Sequence, residues 1–191
     1  MSSSAFSKHL KKLLQDADHL VLAHEQLRTG RRGRQWGLGA LNRAVVVMCV
    51  SAWEAYVEEI IIESINAVRP AVGVPPGNWG GLNMSARSLI GRFNNPNVDQ
   101  VRMVISDALG LPDITTFWLW RKCDAARARE LLTEALRFRH QIAHGVNPRP
   151  VIHNSYASRL PGLFLELGKC TDAGIRHYLV NTLGVADPWP A

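Results

Sequence analysis

The chain has 191 residues, of which 47 % are apolar, enough for a sizeable core and too many for a disordered chain. No apolar run approaches the roughly 18 residues needed to span a bilayer; the longest uninterrupted one is Ala44 to Val50. The net charge of +6 and sequence pI of about 9.7 suit a polyanionic partner, since phosphate contacts dominate nucleic-acid affinity. The excess is arginine, 17 of the 22 basic residues, the side chain best suited to bidentate phosphate contacts.

The opening segment MSSSAFSKHLKKLLQ lacks the continuous apolar stretch of a signal peptide. Cys49, Cys123 and Cys170 are odd in number and far apart, without CxxC pairing, which argues against a disulfide framework or a zinc site and for a reduced, cytoplasmic setting.

Apolar residues recur at three- and four-residue spacing throughout, and no segment reads as a strand. A first helix is expected from about Ala5 to Leu27, with Ser4 as N-cap and Leu10, Leu13, Leu14, Ala17, Leu20 and Val21 as its buried stripe. RTGRRGRQWGLG interrupts it, either as a plain loop or as an arm that grips RNA, with Trp36 a candidate base-stacking side chain. A long central helix follows from about Ala40 to Val68, ended by Arg69-Pro70 because the residue before proline disfavours helix. Residues 70 to 83 form a proline- and glycine-rich connector. Shorter helices are expected over Ser85–Arg92, Asn97–Leu109 and Thr115–Lys122, with Trp118 and Trp120 at the core and its boundary. Asp124 can cap the next helix, which ends at His144 before Gly145. Asn147-Pro-Arg-Pro is a loop, a last helix covers about Leu160 to Leu183, and the tail from 185 to 191 is irregular. We expect a single all-α domain over 1 to 191.

The helix after Asp124 reads DAARARELLTEALRFRHQIAHG. At 100° per residue, Leu131, Ala135, Phe138 and Ile142 share a narrow arc, and Ala128, Leu132, Leu136 and Ala143 extend it. Arg139 points into the middle of that apolar face, a costly place for a cation unless it has a partner or lines a cleft. Arg137 lies on the polar side, three residues after Glu134, as in an ordinary surface ion pair. His140 and His144 are four apart and stack on one face, with His144 in the last turn, where the helix dipole favours a protonated ring. Histidine titrates near neutrality, as a general acid or base must. Two histidines at this spacing also suit zinc, but a third ligand and the HExxH glutamate are missing. A helix end with capping histidines and a snorkelling arginine is the purely structural alternative.

Arg139-His140-Gln141-Ile142-Ala143-His144-Gly145 resembles the signature of HEPN proteins: an arginine, a polar residue, and a histidine after four to six intervening positions, here four. Arg137 and His144 also fit, with six between. LNRAVVVMCVSAWEAYVEEI, residues 41 to 60, resembles the long second helix of the RiboL-PSP type of HEPN domain, with its aromatic-Glu pair at Trp53-Glu54 followed by Tyr56. The ending Ile142 to Gly145 and the order of elements match as well; the insert from 70 to 123 carries no part of the resemblance.

The resemblance implies an all-α HEPN-like helical bundle with a variable helical insert between the long second helix and the motif helix. It implies a dimeric endoribonuclease that works without metal or other cofactor, its two motifs facing each other, of a kind that acts as a toxin or in phage defence. By similarity His144 is the general base or acid, Arg139 the phosphate clamp, and His140 a residue that orients or supplements them. The implied partners are RNA and a second copy of the chain, with an antitoxin or other regulator as a further candidate and no membrane. HEPN domains also occur as non-catalytic dimeric interaction or nucleotide-binding modules, which is the alternative. A helical DNA-binding protein would need an exposed basic recognition helix, whereas the most basic segment here is rich in glycine. Glu59 and Glu63 stand near the apolar stripe of the long helix, either as a buried counter-ion to Arg139 or as surface glutamates; Glu54 is singled out by the resemblance alone.

Overall fold

The computed structural model describes residues 2–29, 37–71 and 76–189, and the side chains of all of these except 69–71, 76–79 and 82. The structure is all-α. A π-helical start, Ala5–Leu10, leads into α1, Lys11–Leu27. Then come α2 (Leu38–Ala71), α3 (Pro76–Ile90), α4 (Val98–Leu109), a 3₁₀ turn (Ile114–Phe117), α5 (Ala125–Ala143), the one-turn α6 (Asn154–Ala157) and α7 (Leu160–Asn181). Among the described residues there is no strand, only an isolated bridge between Trp120 and Cys123. No described helix is long and apolar enough to cross a membrane.

The helix α2 is the hub. It packs against α1, α3, α4, α5, α6 and α7, which is why its apolar residues surround the axis and do not form one stripe. Val46, Val50, Trp53, Val57, Ile60 and Ile61 are all fully buried. The expected pairing of α2 with the motif helix α5 is present. An aromatic cluster sits at the centre: the Trp53 ring lies 5.6 Å from Tyr56, 6.0 Å from Trp118 and 6.3 Å from Phe164 between centroids. Each polar tip in the cluster is satisfied, as buried indoles and phenols require. Trp118 Nε1 donates to Thr171 Oγ1 at 2.9 Å and Tyr56 Oη to the Gly168 carbonyl at 3.1 Å. Trp118 is core and Trp120 is partly buried at its edge, as the sequence suggested. Trp36 and the 30–36 stretch of the arginine-rich segment lie outside the described residues.

Several boundaries differ from the sequence reading. Ser4 is not an N-cap: its backbone is already helical, and its N–H and that of Ala5 both donate to the Glu63 carboxylate at 2.8 Å. Ser3 supplies the capping oxygen, accepting from the Phe6 N–H at 3.0 Å, while Asp172 accepts from the Ser3 backbone and hydroxyl. The helix start is thus capped from two other helices, α2 and α7, which no local pattern reveals. Leu13 drops out of the buried stripe, at 36 % exposed. The long helix passes through Arg69-Pro70 to Ala71, since a proline in the last turn removes a single ladder bond. Residues 76 to 83 are helical and not connector, starting on Pro76, where a missing N–H costs nothing. The 115–122 helix is only the 3₁₀ turn, closed by Asp113, which accepts from the Thr115 N–H at 2.9 Å.

One close approach sets a limit on the packing of α7. A Cβ at Gly174 would fall 2.6 Å from Phe117 Cγ and 2.9 Å from both Ile114 Cδ1 and Phe117 Cβ. Gly174→Ala must push the 3₁₀ turn off α7, an overpacking cost of about 1–3 kcal/mol. A urea unfolding midpoint unchanged from the parent would contradict this.

Candidate active site at the end of the motif helix

The helix α5 is bounded as its sequence indicated. Asp124 accepts from the Arg127 N–H at 2.7 Å. At the other end His144 is the C-cap, and Gly145 takes the left-handed conformation at φ +68°. The Val146 N–H bonds the Gln141 carbonyl at 2.9 Å and the Gly145 N–H the Ile142 carbonyl at 3.1 Å, the paired closure of a Schellman motif. Nothing lies within 4 Å of a Cβ added at Gly145, so backbone conformation and not space is what glycine provides there. This closure holds His144 on the last turn.

The apolar face of α5 is buried from Ala128 through Leu132, Ala135 and Leu136. Further along the same face Arg139 is half-buried and Ala143 exposed, because the end of α5 reaches past the core. Among the described residues the Arg139 guanidinium makes no hydrogen bond and no ion pair within 4.0 Å. The charge that faces it is Glu54 of α2. Burial pushes the Glu54 carboxyl above its ordinary value, and the positive charge of Arg139 pulls it partly back. Glu58, next along α2, is also raised, first by burial and then by the neighbouring Glu54 and Glu59 charges. Glu63, considered above as a counter-ion to Arg139, is occupied with the cap of the first helix. Glu54, the glutamate that only the resemblance picked out, holds that place.

Arg137, Arg139 and His140 line one open cleft of about 480 Å³, and across it stand Asn94, Asn95 and Asn97. The asparagines belong to the loop between α3 and α4, pinned to the hub helix where Trp53 Nε1 donates to the Pro96 carbonyl at 3.2 Å. Asn97 also caps α4, accepting from the Gln100 N–H at 2.8 Å. Sequence reasoning missed this wall. The run Phe93-Asn94-Asn95-Pro96-Asn97 signals a turn, but nothing local indicates that it folds back on α5. His144 is not in the cleft lining. Its ring lies 4.3 Å from that of His140, centroid to centroid, tilted by 57°, and both rings are exposed. His140 therefore links the cleft to His144. Arg137 does not pair with Glu134. Its Nη1 donates to the Arg149 carbonyl at 3.1 Å, and its guanidinium lies 4.7 Å over the Phe138 ring.

The RiboL-PSP-HEPN family model matches residues 5–173 of this chain, nearly its whole length. The chain belongs to the RiboL-PSP-HEPN family. No curated protein and no solved structure matches it. In this HEPN chain the matched span includes the 70–123 region between the long helix and the motif helix, so the asparagine loop lies inside it. A HEPN domain of this type is all-α, as observed, and family membership points toward an RNase or nucleotide-related role without fixing which.

The burial of Glu54 in this HEPN domain has a pH signature. The fold prefers its neutral form, so its contribution to stability is lost as pH rises above the unfolded value and is restored below it. Glu54→Gln should raise the urea midpoint at pH 7, and the gain should vanish well below the ordinary carboxyl value of 4.5. A variant less stable than the parent at pH 7 would mean that the attraction of Arg139 outweighs desolvation.

Proposed function

We propose that this protein is a metal-independent endoribonuclease, working as a two-fold dimer, with Arg139, His144 and His140 as its catalytic residues. The observation that carries the reading is the half-buried Arg139 guanidinium, faced by Glu54 but held by no hydrogen bond or ion pair within 4.0 Å among the described residues, at the mouth of a cleft whose wall leads through His140 to His144. Holding a cation there is costly unless an anion completes it, and a scissile phosphate is such an anion.

In this reading an imidazole takes the proton from the ribose 2′-OH, and that oxygen attacks the adjacent phosphorus. The bond to the 5′-oxygen of the next nucleotide breaks, and a second imidazole returns a proton to it. Arg139 stabilises the charge on the pentavalent phosphorane. The products carry a 2′,3′-cyclic phosphate and a 5′-hydroxyl. DNA resists, because it lacks the nucleophile. Glu54 orients Arg139, and Asn94 and Asn95 offer carboxamides to the strand. The dimer is supported by the exposure of His140, Ala143, His144 and Val146, the last 54 % exposed, on the overhanging end of α5. Pairing two such ends doubles a sparse set of groups. The single domain, the cytoplasmic setting, and a role as a toxin or defence effector held by an antitoxin belong to the same proposal.

The test is incubation of the purified protein with end-labelled RNA in EDTA, followed by end-group analysis. Cleavage to 5′-hydroxyl ends supports the mechanism; 5′-phosphate ends or abolition by EDTA refute it. A wild type inert on diverse RNAs would move the weight to a non-catalytic HEPN module. Between the two arginines of the cleft, Arg139→Ala should lower cleavage by about 10²–10³, the effect of removing one oxyanion donor. Arg137→Ala should leave most activity, because that side chain is engaged with the Arg149 carbonyl. Equal losses in folded variants would contradict the assignment.

A further inference from the structure

The loop between α3 and α4 sets two exposed asparagines between two buried anchors. Phe93 is 5 % exposed, and Pro96 is buried, with its carbonyl held by Trp53 Nε1 at 3.2 Å. The Asn97 N–H donates to the Asn95 carbonyl at 2.8 Å, which closes a three-residue turn around Pro96, and the proline ring fixes its own φ. Asn94 and Asn95 thus stand on a firmly held stretch of backbone. Across the cleft of about 480 Å³ they face Arg139 and His140. Leu136, 8 % exposed, lines the same cleft and offers an apolar surface to the face of a ring.

Asparagine is common in loops for two structural reasons. It tolerates the left-handed backbone, and its side chain bonds nearby backbone groups. The second reason accounts for Asn97, the cap of α4. Neither accounts for Asn94 or Asn95. Among the described residues Lys122 is the one non-glycine at positive φ, and neither carboxamide makes a hydrogen bond. Each therefore presents one donor and one acceptor, side by side, to whatever enters the cleft. The loop belongs to the 70–123 region, outside the motif that carries the chemistry.

We infer that Asn94 and Asn95 are specificity-determining residues, which read the base beside the scissile phosphate and select adenine. The inference rests on the reading of this cleft as an RNA site. Bases of single-stranded RNA are recognised on their Watson–Crick and Hoogsteen edges. A carboxamide needs an adjacent donor and acceptor on the base. Every base has such a pair on its Watson–Crick edge, but on the Hoogsteen edge only adenine does, with its N6 amino group beside N7. Adenine alone is matched whichever edge it turns to the loop. Guanine shows two acceptors on that second edge, which suit an arginine. Of the two arginines in the cleft, Arg139 is assigned to the phosphate and Arg137 is held by the Arg149 carbonyl.

The test is fluorescence anisotropy of the full-length protein with four labelled 2′-O-methyl RNA pentamers. These are uridine throughout except at the centre, which is adenine, guanine, cytosine or uracil, and they cannot undergo 2′-OH attack. The adenine pentamer should bind about tenfold more tightly than the others, the discrimination of one good bidentate contact. In the double variant Asn94→Ala, Asn95→Ala that preference should fall below about threefold, with binding of the all-uridine pentamer retained. Both side chains are exposed, so the variant should keep the parent's circular dichroism. If it does not, the two single variants are compared, and the preference should fall in at least one. In parallel, product ends from a random-sequence RNA cleaved in EDTA should be enriched in adenine beside the cut, and the double variant should lose the enrichment. The proposal is overturned if no pentamer binds, if the four bind equally, if another base is preferred, or if the preference survives the substitutions. Cleavage without adenine enrichment overturns it too and leaves the ribonuclease reading intact. An asparagine-dependent adenine preference in a protein that cuts no RNA does the reverse.

Discussion

His144→Ala should abolish nearly all RNA cleavage, with a fall of about 10² to 10⁴ in rate, the typical contribution of one general acid or base. The loss should come without unfolding. The ring is exposed, it stacks on His140, and the turn that carries it is closed by backbone bonds from Gly145 and Val146. Circular dichroism and melting temperature should therefore match the parent. His140→Ala should cost less, because in the proposed mechanism His140 orients its neighbour and His144 carries the proton. The comparison is made under single-turnover conditions, with end-labelled RNA in EDTA and equal dimer concentration. Full activity in His144→Ala would refute the mechanism. A loss accompanied by a lower melting temperature would mean that the histidine pair is structural. An equal fall in His140→Ala and His144→Ala would assign the two rings to the two proton transfers.

Trp53→Ala should be the most damaging single change to the fold. The side chain is completely buried, contacts Tyr56, Trp118 and Phe164, and holds the Pro96 carbonyl through its indole N–H. Truncation leaves a cavity at the centre of the hub helix and an unsatisfied carbonyl, an expected cost of about 3–5 kcal/mol. For a chain of this size that corresponds to roughly 6–20 °C in melting temperature. Trp53→Phe separates the two roles, since it keeps most of the volume and loses the hydrogen bond. It should melt well above Trp53→Ala, yet loosen the asparagine loop and weaken RNA cleavage. A melting temperature for Trp53→Ala within 2–3 °C of the parent, less than about 1 kcal/mol, would show that the aromatic cluster repacks.

Trp53 and Glu54 are adjacent in sequence and serve the site from different sides of one helix. The tryptophan anchors the wall of the cleft, and the glutamate sets the charge facing Arg139. This gives a physical meaning to the aromatic-Glu pair through which the chain resembles its family. The two residues are 100° apart on the helix, so one enters the core while the other reaches its margin.

The sequence by itself determined the all-α class, the helix from Asp124 to His144 with both of its caps, the long central helix, and the family. These rest on local physics: apolar spacing, a capping carboxylate, a glycine at positive φ, and a motif confined to the last two turns of one helix. The half-buried position of Arg139 was also legible, because a cation at 100° steps within an apolar arc must lie at the core's edge. The tertiary structure alone decided what surrounds that turn. The carboxylate whose charge faces Arg139 is Glu54 and not Glu63, because the crossing of α2 and α5, not the pattern on α2, selects it. Glu63 went instead to cap a helix 58 residues away in sequence. Arg137 found the Arg149 carbonyl and not Glu134, and three asparagines from an unrelated loop closed the cleft. Each of these contacts is fixed by how helices are placed in space, and that placement is set by burial of the whole apolar surface at once, which no window of neighbouring residues encodes.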